Sequence, residues 1–366
     1  MNGSHITIRR NGASVLMLWL LVVLVIAAPI GANATEDATV AMPSIAYPTV
    51  VLLAFENFTR SARPVELFEP LIIERVSAMP LNLVSVEELR PVLRKHRIRA
   101  VGGIGRVGMQ MLHDEFDADY VLTGSYDIFV QNSLSSELGL SLRLIDVRSH
   151  RVVWARSSGA TGLDYERILG LGRVVAIEEL ARKVSDEALR GLREVLEDPP
   201  PDPPADAPCV AVVPFDDILV DFPGGGLVTT QVVTNLVNRG FNTLEPGVVR
   251  ELFITYQRFS RGGIDYDVLD ALHDSLGVTS VVTGSVDGLH LGIPELELSF
   301  PEVSVSGRCI DAGSKSIVSM ALVSKSGDHE LLVGLGHTRA ANDLIEETTS
   351  AMLNKLKLKR GYWHGR

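Results

Sequence analysis

One stretch of sequence occurs twice in this chain, and this repetition limits the folds open to it. Short blocks recur in the same order at a constant spacing of 160 residues. The pairs are Val-Val-Leu-Leu-Ala-Phe (50–55) with Val-Ala-Val-Val-Pro-Phe (210–215), Gly102-Gly103-Ile104 with Gly262-Gly263-Ile264, Leu112-His113-Asp114 with Leu272-His273-Asp274, and Thr123-Gly124-Ser125 with Thr283-Gly284-Ser285. The spacing grows to 165 at Arg143 and Arg308. A fixed period with one block order indicates a tandem duplication.

A proline-rich segment separates the two copies. Residues 198–208 read DPPPDPPADAP and contain six of the 18 prolines. Prolines in series favour polyproline II, a semi-rigid spacer of about 3.1 Å per residue that could hold two bodies roughly 30 Å apart. We therefore predict a first domain over 46–197, a linker over 198–208, a second domain over 209–358 and a basic tail over 359–366.

Each copy has the pattern of an α/β unit. It begins with an apolar run typical of a strand buried on both faces, at 49–55 and 209–214. An apolar stripe at helical spacing follows, in which Pro70 marks either the helix start or a kink. Next come a short strand (82–85; 242–245), a short helix (86–94; 247–256) and another helix (107–117; 266–276), with the second copy given second. A strand then begins at Tyr120 and at Val278. Two further β segments (138–147 and 151–156; 302–311 and 316–324) precede a last helix (174–195; 341–356). This mixed order predicts an α/β fold of the α+β sandwich type: two repeated copies of a mixed-sheet domain, with helices packed on the sheet and a β-hairpin before the last helix.

The first 34 residues have the pattern of a secretory signal peptide. Arg9 and Arg10 precede an apolar run over 15–28, and Ala32-Asn33-Ala34 supplies small residues for cleavage after Ala34. An uncleaved N-terminal anchor is the alternative left open, because the run with its flanks approaches the shortest membrane span. In either case the two basic residues hold the start inside, so the rest of the chain is expected outside the cytoplasm, in the periplasm or cell envelope.

The charge and the cysteines exclude several classes of protein. The 366 residues carry a formal net charge of −11 with no dense basic block, so nucleic acid is not an expected partner. Only two cysteines are present, which excludes a disulfide-dense scaffold and a four-thiolate zinc site. In an oxidising compartment, Cys209 and Cys309 either form a disulfide or remain as buried free thiols.

Two glycine-rich motifs are similar to phosphate-binding loops but lack the required context. Residues 103–108 fit G-x-G-x-x-G, yet a helix and a basic segment precede them where a dinucleotide site needs a strand. Residues 222–226 precede a helix, but no Gly-Lys-Ser/Thr follows. We interpret the first as a flexible loop and the second as a helix-entry turn, and we expect no cofactor.

The repeated His-Asp and Thr-Gly-Ser blocks do not assemble a catalytic or metal site. His113 and His273 have no second histidine three or four residues away, so we assign both to solvated helix faces. Ser125 and Ser285 lie within predicted strands, whereas a nucleophilic serine needs a sharp exposed turn and a base. Their neighbouring glycines are expected to permit close strand packing or a bulge. We therefore predict no catalytic residue and no metal ligand.

Apolar and polar residues alternate over 289–305, with Pro294 and Pro301 interrupting the pattern. Alternation with period two is typical of a strand with one apolar face. The segment is too short for a membrane-inserting hairpin, because each transmembrane strand needs about 9–11 residues. We favour a half-buried strand and leave an exposed, partner-binding edge as the alternative.

Taken together, the blocks resemble a superfamily of envelope proteins. The Val-Pro-Phe-type strand, Ala118–Ser125, Leu142–Arg148 and Arg151–Ala155 are similar to the CsgG family of curli assembly, to the penicillin-binding-protein activator LpoB and to the TolB amino-terminal domain. This resemblance implies a small α/β domain without enzymatic activity, working in the bacterial periplasm or at the outer membrane through contacts with other proteins. It covers 49–196 well and 209–357 more faintly.

These observations lead to one preferred function and two alternatives. The preferred hypothesis is an exported, non-enzymatic envelope protein that acts as an assembly or regulatory partner of other envelope proteins. The alternatives are a subunit of a CsgG-like secretion complex at the outer membrane, and an enzyme of unknown chemistry. Peripheral membrane association and a homo-oligomer are both left open.

Overall fold

The computed structural model describes residues 47–98, 101–131, 136–165, 172, 174–204, 206–218, 223–258, 264–291, 301–327 and 340–359. The predicted signal segment and all of the basic tail except Lys359 lie outside these residues. The elements of the first half are β1 (Thr49–Leu52), β2 (Glu56–Asn57), α1 (Arg63–Ser77), β3 (Asn82–Val84), α2 (Val86–His96), α3 (Arg106–Phe116), β4 (Tyr120–Val130), β5 (Glu137–Asp146), β6 (Arg151–Thr161), α4 (Ile177–Ala188) and α5 (Leu192–Glu197).

The second half follows the same order. Its elements are β7 (Cys209–Val212), β8 (Asp216–Asp217), α6 (Gly224–Asn238), β9 (Asn242–Leu244), α7 (Pro246–Thr255), α8 (Tyr266–Asp270), β10 (Val278–His290), β11 (Glu302–Asp311), β12 (Ser316–Ser326) and α9 (Ala341–Lys355). A single π-helical turn, Ala271–Ser275, extends α8. The predicted α+β architecture is confirmed, including a hairpin before the last helix of each half.

Local sequence explains where α2 begins and where the last helix of the first half is interrupted. In α2, the Ser85 side chain accepts from the Glu88 amide and Glu88 reaches back to Ser85, which completes a capping box. Helix α1 runs through Pro70 from a start at Arg63, so this proline does not mark the helix start. The predicted helix 174–195 is divided into α4 and α5. The division lies at Gly191, whose φ of +84° suits glycine and interrupts the helix.

The described strands form one mixed sheet in the order β12-β11-β10-β7-β9-β6-β5-β4-β1-β3, while β2 pairs with β4 and β8 with β10. Within each half, the first strand is parallel to its two neighbours and the hairpin strands are antiparallel. The halves therefore share one strand order, β3-β1-β4-β5-β6 and β9-β7-β10-β11-β12.

The two halves join directly through their sheets. Strand β6 of the first half pairs antiparallel with β9 of the second, through Arg151 with Leu244 and Val152 with Thr243. Residues from Tyr47 onward form one compact unit. The proline-rich segment therefore does not hold two bodies apart as expected, because a shared sheet and a shared core offset the entropy of joining the halves. The boundaries drawn for the two domains stay a prediction.

In the first half, the hydrophobic core divides by sheet face. On one face, α1 and α4 cover the first-half strands through Phe68, Ile72 and Leu180. On the other face, a second cluster extends from α2 and α3 into the second half, and it includes both Ala155 of β6 and Val228 of α6. Helix α6 packs against β6 as well as against α9. We call this contact between α6, α9, the start of α7 and the first-half sheet the internal junction.

Gly247, in the first turn of α7, sets how closely the halves approach. A Cβ atom at this position would lie 2.5–2.7 Å from the backbone of Ile104. We expect Gly247→Ala to lower the free energy of unfolding by about 1–3 kcal/mol, because one backbone must move to admit the methyl group. Urea denaturation measures this loss. Gly288→Ala is the control, since its Cβ would meet only Ser304 at 3.6 Å; equal losses in both variants would contradict the prediction.

Candidate interaction surface

A cluster of two serines around an aspartate occurs at the same place in both halves. In the first half, the hydroxyls of Ser125 and Ser141 donate to the two oxygens of Asp127. In the second, Ser285 donates to Asp287 at 2.8 Å and Ser306 donates at 3.4 Å. Each aspartate lies at a shift in the strand register, between 126 and 128 in β4 and between 286 and 288 in β10. The shared irregularity turns both carboxylates to corresponding positions on the sheet.

The first-half cluster is closed by the second half. Gln231 of α6 donates to Ser157 at 2.7 Å, and Asn342 of α9 donates to Ser157 at 3.0 Å. The hydroxyl oxygens of Ser157 and Ser141 lie 3.1 Å apart, which connects these side chains to the cluster. Asp127 is completely buried under these side chains, and burial raises the pKa of its carboxyl to about 7 despite the two serine hydrogen bonds. The internal junction therefore contains a hydrogen-bonded polar network rather than apolar contacts alone.

Charged side chains complete the internal junction. Arg143 of β5 forms a bidentate pair with Glu245, at 2.9 and 3.0 Å, and also donates to the carbonyl of Gly102. Glu245 caps α7 by accepting from the amide of Gly247 at 3.1 Å. Glu137 of β5 accepts from the first amide of α9. Burial outweighs this helix-end hydrogen bonding and raises the pKa of Glu137 to about 8.

The second-half cluster lies open. Asp287 is exposed, and the apolar residues around the corresponding sheet face are exposed as well. Ile218 is 60% exposed where its counterpart Phe58 is 4% exposed, and Ile317 is 52% exposed where Val152 is 1% exposed. Met320 is 67% exposed where Ala155 is 2% exposed. We call the surface formed by Ile218, Asp287, Ile317, Val318, Met320 and Leu322 the open face. Apolar exposure concentrated in one place is typical of an interaction surface.

At both glycine-rich motifs, the start of the following helix contacts a carboxylate of the chain. The amide of Arg106, at the start of α3, donates to Glu251 of α7, so a carboxylate of the chain occupies this helix start. Ile104 of the first motif is buried against the internal junction, and residues 106–108, predicted as part of a loop, belong to α3. The amide of Gly224 donates to Asp217 at 2.9 Å, and residue 222 of the second motif lies outside the described residues.

The repeated histidines have a structural place. In each, Nδ1 lies within hydrogen-bond distance of a carbonyl five residues on, 3.3 Å for His113 to Ala118 and 3.0 Å for His273 to Val278. Each contact ties the end of a helix to the strand that follows. Within the described ranges, no group of three or more His, Cys, Asp or Glu side chains is placed to hold a metal ion.

The Thr-Gly-Ser blocks serve strand packing. A Cβ atom at Gly124 would lie 2.2 Å from the carbonyl oxygen of Ser141, and one at Gly284 would lie 2.0 Å from that of Ser306. These glycines therefore let β5 and β11 approach closely, as predicted. The serines Ser125 and Ser285 bind aspartates, not a histidine base.

Cys209 and Cys309 are both free and buried. They lie on β7 and β11, the two strands that flank β10, where Cys209 is paired with Val278 and Cys309 with Val282. Two strand spacings amount to about 9.6 Å, beyond the Cα separation of about 7 Å that a disulfide spans. Burial raises the pKa of each thiol to about 11, so neither is a reactive thiolate.

The alternating segment 289–305 falls partly outside the described residues. Its described ends belong to β10 and β11, where Val303 and Val305 are buried and Leu289 is half-buried. Among the helices of the described residues, none has the length and apolarity needed to cross a membrane.

A groove lies between α2 and α7, with a cavity volume of about 560 Å³. Its lining is mainly apolar but includes Glu56, Arg90 and Arg250. Burial raises the pKa of Glu56 even though Arg250 and Arg143 oppose this shift.

Sequence reasoning missed the residues that define the interaction surface. Asp127 and Asp287 share the 160-residue spacing, so they could have been found as polar positions repeated inside apolar strands. The Arg143–Glu245 pair carried no such signal, because the partner of Arg143 lies 102 positions away in the other copy.

Comparisons with known proteins find likenesses only among solved structures, each over part of this chain. No protein-family model matches the chain, and no curated protein matches it. The PelC dodecamer from Paraburkholderia phytofirmans is 15% identical, and the match covers 43% of this chain and 94% of that chain with a TM-score of 0.29. The lipoprotein GNA1162 from Neisseria meningitidis is 18% identical, with 40% of this chain and 94% of that chain covered and a TM-score of 0.28. The LpoB C-terminal domain from Escherichia coli is 19% identical, with 33% of this chain and 88% of that chain covered and a TM-score of 0.25. These likenesses concern the fold alone.

Proposed function

We propose that this chain is an exported, non-enzymatic envelope protein that acts as an assembly or regulatory partner by binding protein through its open face. The observation that carries the proposal is the contrast between the halves. The same sheet face is buried by α6 and α9 in the first half and uncovered in the second, where it bears large apolar side chains. Desolvating such residues in a protein contact is favourable by about 25 cal/mol per Å² of apolar surface.

The chemistry of the open face supports a protein partner. Met320 and Leu322 project beside Asp287 and its serines, so the surface combines apolar anchors with hydrogen-bonding groups. This combination is typical of protein interfaces. The N-terminal segment supports export, because its basic start, apolar run and small residues fit a secretory signal.

Site-specific photo-cross-linking in intact cells tests this function. A photoreactive amino acid in place of Leu322 is expected to give a discrete cross-linked species in the envelope fraction. The same amino acid in place of Val107, which is also exposed but lies on α3, is the control and should give none. Recovery of the protein in the cytoplasmic fraction, or equal cross-linking from both positions, would contradict the proposal.

A further inference from the structure

We infer that the open face of one chain binds α1 and β3 of a second copy, in the way that the first half binds α6 and β9 within the chain. This inference rests on the proposed function and names the partner of the same surface. The internal junction serves as its template, because both halves share one strand order.

The free edges of the sheet are complementary. Inside the chain, β6 pairs with β9, the last strand of one half with the outer strand of the next. The strands left at the two ends of the sheet are β12 and β3, which are the counterparts of β6 and β9. An edge strand presents unpaired amide and carbonyl groups that favour pairing with another chain. The start of β12 can therefore pair with β3 of a second copy as β6 pairs with β9.

The side chains at the two surfaces match in polarity. Gln231 of α6 corresponds to Leu71 of α1, and Ser157 of β6 corresponds to Leu322 of β12. Within the chain the contact joins Gln231 to Ser157, two polar groups. Between chains the same contact would join Leu71 to Leu322, two apolar groups. Relative to the contact within the chain, both residues of the contact between chains are apolar instead of polar. The two surfaces therefore stay matched in polarity.

Further residues of α1 extend this match. Leu67 and Leu71 are half-buried and Pro70 is exposed, so α1 presents an apolar strip to solvent. These positions correspond to Leu227, Gln231 and Thr230 on the covered side of α6. The strip is of the size and chemistry to cover Met320 and Leu322.

An ion pair of the internal junction also has a counterpart. Arg143 pairs with Glu245 at the start of α7, whereas Arg308, its counterpart on β11, forms no ion pair among the described residues. In a second copy the counterpart of Glu245 is Ser85, and the acids nearest to it are Glu87 and Glu88 in the first turn of α2. Charge at this end of the surface is therefore complementary.

The contact joins two unlike surfaces, so a dimer leaves one of each uncovered. The chain that contributes its open face still presents its own α1 and β3, and the chain that contributes α1 and β3 still presents its open face. Such a head-to-tail contact generates a ring if the rotation closes and a filament if it does not.

Disulfide trapping tests the geometry with the full chain, purified from the envelope in mild detergent. Leu71→Cys and Leu322→Cys chains are oxidised separately and as a mixture, with Val107→Cys replacing Leu71→Cys as the matched control. We expect a cross-linked dimer only in the Leu71→Cys and Leu322→Cys mixture. The native thiols do not compete because both are buried. A dimer of Leu322→Cys with itself would indicate a two-fold contact and overturn the inference, as would a mixture without any dimer.

Sedimentation velocity over a concentration series gives an independent readout. We expect the mass of the wild-type chain to rise with concentration, and Leu322→Lys to abolish this rise while Val107→Lys leaves it unchanged. A wild-type chain that stays a monomer, while Leu322 still cross-links a different protein in cells, would overturn the second copy as partner and leave the proposed function intact. A monomer without any cross-link at Leu322 would remove both.

Discussion

Glu245→Ala is expected to lower the free energy of unfolding by about 3–5 kcal/mol, because it leaves the guanidinium of Arg143 buried without its counter-charge. Glu245 is fully buried and its two oxygens hold the Arg143 side chain, which is itself almost inaccessible. The same carboxylate caps α7, so its loss also removes a helix cap. Guanidinium chloride denaturation, followed by circular dichroism, measures the loss.

Two further variants separate the buried charge from a general effect of losing a carboxylate. Glu66→Ala removes an exposed ion pair with Arg63 and should change stability by less than about 1 kcal/mol. The double variant Arg143→Met with Glu245→Leu removes both charges, so it should recover much of the stability lost by Glu245→Ala. A double variant no more stable than Glu245→Ala would show that the charges are not the source of the loss.

The second large effect concerns pH. The folded-state pKa of Asp127 is raised to about 7, above the value near 3.8 of an unburied aspartate. Between these two values the folded state binds a proton that the unfolded state does not, so stability increases as pH falls. For Asp127 alone this amounts to about 2–3 kcal/mol between pH 8 and pH 5. Glu137 and Asp343 also have raised pKa values and act in the same direction.

Asp127→Asn tests the assignment, since the amide keeps the shape and cannot ionise. We expect the variant to be more stable than the wild type at pH 8 and to show a smaller change between pH 8 and pH 5. Asp287→Asn, the exposed counterpart in the other half, is the matched control and should leave the pH profile unchanged. Thermal unfolding at a series of pH values measures both. If the two variants shift the profile equally, the burial of Asp127 does not cause the pH dependence.

The secondary structure could be predicted closely from local pattern. The strand predicted over 302–311 is β11 to the residue, and the helix predicted over 341–356 differs from α9 by one position. Such agreement is expected because alternation and helical periodicity are set by which face of each element is apolar. The division of 174–195 into two helices was missed, because the sequence does not show whether a glycine within an apolar stripe adopts a positive φ angle.

The internal junction could not be predicted in this way. Two copies with the same pattern offer the same edges, and nothing in the periodicity says whether β6 and β9 pair or whether a proline-rich segment keeps them apart. The residues that meet at the internal junction include Ser157 and Gln231, two polar side chains that are hydrogen-bonded to each other across 74 positions of sequence. Their contribution depends on burial, which is a property of the folded pair and not of either segment.

Block spacing and residue type alone predict the duplication and the order of strands and helices. Three features became visible only in the folded chain: one copy covers the other's sheet face, Asp127 is buried while Asp287 is open, and β3 and β12 remain as the edges of the sheet. This difference arises because desolvation and hydrogen-bond pairing act between segments distant in sequence. Identical motifs therefore acquire different energies according to what packs on them.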